Sequence, residues 1–158
     1  MSLLPFFLWC ENSGLVAPMR TSHWLYPAIQ GVHLVGFGAI GGAVLVVDLR
    51  LLGVGLRRQP VAQVARDAQR WFLFSLLFML SSGFLLFMSE ASKCYYYIGF
   101  WIKMASLFLA ILFTFTVRRK VAMADETHMS PGRRKLVALV SVALWSGVGV
   151  GAKMIGFS

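Results

Sequence analysis

The chain has 158 residues, of which 58% are hydrophobic and 14% aromatic, with a mean hydropathy of +0.73. That is too apolar for an ordinary soluble domain and fits one compact membrane bundle. The net charge of +9 comes from basic residues that flank apolar segments instead of forming a soluble basic face, so nucleic acid is not an expected partner.

Residues 1–22 form an apolar, aromatic lead-in broken by Pro5, Gly14 and Pro18. Phe6, Phe7, Trp9 and Leu15 predict a segment lying in the membrane interface, because it is too short and too interrupted to span. No basic region precedes its apolar run, so a cleaved signal peptide is not expected. Residues 23–158 are expected to form a single all-α domain, a four-helix transmembrane bundle.

The first span is placed at 24–47. From Thr21 to Val47 there is no Asp, Glu, Lys or Arg, and at about 1.5 Å per residue such a helix crosses a hydrocarbon core of roughly 30 Å. Pro27 falls in its first turn, where a missing N–H costs least. Asp48-Leu49-Arg50 then reads as a local charge pair and membrane stop. The first loop holds Arg50, Arg57, Arg58, Arg66 and Arg70, with room for a short amphipathic helix from Val61 onward.

The second span, 71–89, carries Ser75, Ser82 and Ser89 along one face. A short loop with Glu90, Lys93, Cys94 and the Tyr95-Tyr96-Tyr97 cluster suits an interface belt. The third span, 98–117, has Lys103 near its start and is closed by Arg118-Arg119-Lys120. After the Ser130-Pro131-Gly132 turn and Arg133-Arg134-Lys135, the fourth span runs over 136–157 with Lys153 near its far end.

Five Lys or Arg residues fall in the first loop and six in the third, whereas only Arg20 and Lys93 flank the opposite ends. The positive-inside rule therefore predicts a bacterial inner-membrane protein with both long loops in the cytoplasm and both termini outside. Cys10 and Cys94 then share the outer side. Free thiols are expected there, with a bridge between them as the alternative.

This orientation brings the unusual residues to one level. His33 lies roughly 12 Å in from the outer end of the first span, and Lys103 and Lys153 lie roughly 6–8 Å in on the third and fourth. An ionisable residue at such depth is a functional hypothesis by default. Gly99, Lys103, Ser106, Ala110 and Thr114 share a face of span three; Ser146, Gly149 and Lys153 share one on span four; both faces are expected to turn inward. His33 shares its face with Gln30, Gly36, Phe37 and Ile40, beside the Gly38/Gly42 small-residue pair. It either contacts a cofactor or substrate or hydrogen-bonds a carbonyl or serine of the next helix. The lysines either meet the same ligand or snorkel to headgroups. Met79, Met88 and Met104 are haem-ligand types or core filler.

The runs Ser22-His23-Trp24-Leu25-Tyr26-Pro27, His33-Leu34-Val35-Gly36 and Asp48-Leu49-Arg50-Leu51-Leu52-Gly53 resemble a family of small bacterial four-helix membrane proteins without an assigned activity. His33 with Trp101-Ile102-Lys103 is also distantly similar to the HemJ-type protoporphyrinogen oxidases, four-helix membrane proteins that bind b-type haem, and to CopD-type membrane domains. That second resemblance implies His33 as an axial haem ligand and Lys103 as a contact to a porphyrin carboxylate or substrate.

The expected function is thus a membrane redox protein binding haem b, with His33 on the iron and Lys103 and Lys153 meeting propionates or an anionic substrate. It would pass electrons near the outer face, as a subunit of a larger oxidoreductase or with a second copy. The alternatives are a porphyrin- or quinol-oxidising enzyme at the same pocket, and a non-redox accessory or transport subunit in which His33 only cements helices.

Overall fold

In lipid each backbone N–H and C=O must be satisfied within its own segment, so long apolar stretches become helices. The computed structural model describes residues 2–124 and 127–156. Two short helices, α1 (Leu4–Glu11) and α2 (Ala17–Thr21), precede α3 (Leu25–Leu52) and α4 (Val61–Ser89). A short α5 (Ala91–Tyr96) leads to α6 (Ile98–Phe113), which continues through a π-helical turn at Thr114–Arg118 into α7 (Arg119–Met123); α8 (Pro131–Gly156) closes the bundle. No strand occurs among the described residues. Four rods are long and apolar enough to cross a membrane: Leu25–Leu52, Val61–Ser89, Ile98–Met123 and Pro131–Ile155. The protein is a four-helix transmembrane bundle.

Helix α3 packs against α4 on one side and α8 on the other, and α8 packs against α6, whereas α4 and α6 barely touch. Glycine sets the close seams. A Cβ at Gly36 would meet Met79 at 3.5 Å, and one at Gly151 would meet the Lys103 backbone at 3.0 Å. Without a hydrophobic force between helices in lipid, such close backbone approach is what holds the pairs together. Ile40, Phe72, Leu76 and Trp145 fill the middle of the bundle, and Val47, Leu51, Val64 and Val121 fill its basic end, where the arginine-rich loops lie.

At the opposite, terminal end Phe7, Cys10 and Met19 of α1 and α2 pack on Met88 and Ala91. The lead-in is therefore docked onto the bundle. Phe7 stands edge-on to Phe87 and Tyr95, with both ring centroids at 5.2 Å. Glu11 holds the arrangement by accepting from the Ser92 backbone N–H at 2.9 Å and pairing with Arg20 at 2.8 Å. These contacts, the Ser92 bond foremost, hold the Glu11 carboxyl below its usual range.

Several expected boundaries shift. The amphipathic segment at Val61 is the start of the second span itself, so Arg66 and Arg70 lie on α4 and not in a loop. The third rod does not stop at Val117 but runs to Met123. The expected end of span four at Phe157 lies outside the described residues. Cys10 and Cys94 are free thiols.

Candidate functional site

His33 sits on the buried side of α3, one turn from Gly36, and leans onto α4. Its Nδ1 is 3.0 Å from the Met79 carbonyl oxygen and 3.0 Å from Ser82 Oγ. A carbonyl can only accept, so Nδ1 carries the hydrogen and donates it. Ser82 in turn donates to the Phe78 and Met79 carbonyls, at 2.9 and 3.1 Å. In the neutral ring the tautomer is thereby set, with the lone pair on Nε2. Among the described residues Nε2 has no hydrogen-bond partner. Gly83 makes this pose possible: a Cβ there would lie 2.9 Å from His33 Cε1.

The ring borders a cavity of about 330 Å³ in the seam that α4 and α6 leave open. Its other walls are Met79, Leu80, Gly83, Phe84 and Phe87 of α4 and Phe100, Lys103, Met104 and Leu107 of α6. Leu80, Phe84 and Met104 are exposed, so the cavity opens sideways toward the hydrocarbon. Phe87 and Phe100, stacked at 5.5 Å, roof it beneath α1. Lys103 is partly buried and, among the described residues, makes no hydrogen bond or ion pair. One wall thus offers a free imidazole nitrogen, another an uncompensated ammonium, and the rest is apolar and aromatic. Such a site suits an amphiphile with a planar apolar body and an anionic or acceptor group.

The other expected participants fall elsewhere. Lys153 and Ser146 are exposed and do not line the cavity, because α8 turns Ser141, Trp145, Val148 and Gly151 inward instead. Gln30 is exposed too, and among the described residues no neighbour lies within 4 Å of a Cβ built at Gly38 or Gly42. The face of Gly99, Lys103, Ser106, Ala110 and Thr114 does turn inward. Met79 and Met104 line the cavity, while Met88 belongs to the terminal-end cluster. Glu90 accepts from Tyr26 Oη at 3.1 Å and pairs with Lys93 at 2.8 Å, an interfacial clasp.

A second intramembrane polar site lies at the basic end. Asp48 is fully buried and does not pair with Arg50, whose Nε donates to the Gln59 carbonyl at 2.7 Å. Its partner is Arg118 on the π-helical turn, with Nε at 2.8 Å from Oδ1; Arg118 also donates to the Val44 carbonyl at 2.9 Å. Arg118, expected as a loop residue closing span three, is only 8% exposed. The missed signal was spacing: Ala110, Thr114 and Arg118 step by four along the inward face, as Val44 and Asp48 do on α3.

Residues 6–158 match a family of unknown function, DUF6644. The chain belongs to that family. No curated protein and no solved structure matches it. For this DUF6644 member the chemistry must therefore be argued from the cavity itself. Among the described residues no cluster of three or more His, Cys, Asp or Glu forms.

Proposed function

We propose that this protein binds haem b in the His33 cavity and serves as an electron-transfer protein of the bacterial inner membrane. The observation that carries the reading is the fixed tautomer of His33. Iron-ligating histidines characteristically donate their other ring N–H to a carbonyl or carboxylate, which orients the ring and raises its basicity. His33 does so to the Met79 carbonyl, and Nε2 is left as the donor atom.

The donor set fits the group, and a cavity of about 330 Å³, smaller than the macrocycle, would leave part of the porphyrin in the sideways opening. A porphyrin brings its own equatorial nitrogens, so one or two protein ligands suffice. Phe84, Phe87 and Phe100 offer aromatic surface, and Lys103 offers a cation for a propionate. Met79 and Met104 add thioether donors to the same walls. When bound, the haem supplies a one-electron iron couple. His33 would hold the iron, Gly83 would keep the ring seated, and Lys103 would anchor the carboxylate edge. The distant resemblance to HemJ-type and CopD-type proteins points the same way. The loop charges support cytoplasmic basic loops, an asymmetry that survives the transfer of Arg118 to the interior.

The test is a visible spectrum of detergent-purified protein expressed with ample haem, oxidised and then reduced. Wild type should show a Soret band that His33→Ala loses while its helical circular dichroism persists. A wild type without the band, or a variant with an unchanged one, would remove the proposal.

The sideways opening favours one other reading, a membrane quinol at the same walls. There His33 Nε2 would accept a hydroxyl hydrogen and Lys103 would donate to the second oxygen. Quinol binding that persists in haem-free protein and is lost with His33→Ala would select it.

A further inference from the structure

At the basic end, away from the His33 cavity, the end of α3 and the start of α8 enclose a second space of about 240 Å³. Arg50, Arg57, Arg134 and Lys135 line it, with Leu51 and Gly53, and among the described residues no carboxylate does. We propose that it binds the phosphate group of an anionic phospholipid.

Three features argue for this. Cations at the end of α3 are electrostatically favourable, but Arg133 and Arg134 occupy the first turn of α8, which has no acidic residue there, and Lys135 follows directly. The positive end of a helix dipole repels them and attracts an anion. Second, Arg57 is held in place. Gly53, at φ 77°, caps α3 and turns the chain back, and its carbonyl accepts from Arg57 Nε at 2.6 Å. Among the described residues the rest of the Arg57 guanidinium and the Lys135 ammonium have no partner. Third, the site lies where two membrane spans end, with Leu51 as an apolar floor. Basic pockets between spans at that level suit phospholipid headgroups.

The shared chemistry is a phosphate oxyanion, and the experiment separates its two sources. Full-length protein in detergent is titrated with phosphatidylglycerol, phosphatidylcholine and inorganic phosphate, with native mass spectrometry as readout. Phosphatidylglycerol should bind at a discrete stoichiometry and phosphatidylcholine should not. The pair Arg57→Gln with Lys135→Gln should weaken binding roughly thirtyfold, equivalent to about 1 kcal/mol per charge. Arg66→Gln with Arg70→Gln removes the same charge outside the cavity and should leave binding unchanged. Inorganic phosphate that binds alone and displaces the lipid would assign the site to the free anion and overturn the lipid proposal. So would equal binding of the two lipids, or an equal loss in both variant pairs.

Discussion

The two intramembrane polar sites meet the same physical problem in opposite ways. Near the basic end Asp48 pairs through Oδ1 with Arg118, and the buried Ser141 lies beside the carboxylate. Toward the terminal end His33 satisfies only one of its nitrogens, and Lys103 meets no partner among the described residues. A bundle able to neutralise one charge internally leaves another open beside a cavity. That contrast separates a clamp from a binding site.

The largest effect should come from breaking the clamp. Asp48→Ala strands a buried guanidinium and should destabilise the bundle by about 3–5 kcal/mol, whereas replacing both partners by Leu and Met should come close to neutral. Thermal unfolding in detergent would measure both. If the single and double variants lose equal stability, the pair does not act as a unit.

A smaller effect is expected on the open side. Gly83→Ala puts a Cβ against the His33 ring, and overpacking of this kind costs about 1–3 kcal/mol. The ring should shift, and haem affinity should fall with it. Unchanged haem affinity in Gly83→Ala would detach the ring's seat from its proposed role.

The smallest effects concern the terminal-end cap. Folding lowers the Glu11 pKa, so the native state binds that proton less readily than the unfolded chain. Its contribution is present at neutral pH and is lost as pH falls through the depressed value. For so exposed a pair it amounts to about 1 kcal/mol or less. Trp9 fluorescence should report loosening of α1 in acid, and Glu11→Gln should abolish that transition. Beside it, burial and then Glu90 push the Cys94 thiol up to about 11. Its maleimide labelling should be slow at pH 7 and the same with and without reductant.

The fold was legible because hydropathy and length determine membrane spans almost alone. The site was half legible. His33 and Lys103 announced themselves as isolated polar groups on inward faces, and the histidine's bond to a neighbouring carbonyl and serine followed from the need to satisfy a ring nitrogen in lipid. Lys153 misled because a small-residue pattern does not say which side of α8 its neighbour occupies. Arg118 was hidden by its place beside Arg119 and Lys120, where a run of cations reads as a loop. Only the four-residue spacing from Thr114, matched to Asp48 on α3, separates it from them. The open α4–α6 seam left no trace in sequence, since it depends on which helices pair.

The most direct measurement is the thermal stability of wild type and Lys103→Met, each with and without saturating haem b. An unpaired, partly buried ammonium costs stability until a ligand meets it, so haem-free Lys103→Met should be at least as stable as wild type. On haem addition wild type should gain more. A haem-free variant that is less stable than wild type, with haem shifting neither protein, would contradict the account and leave the His33 cavity a feature of packing.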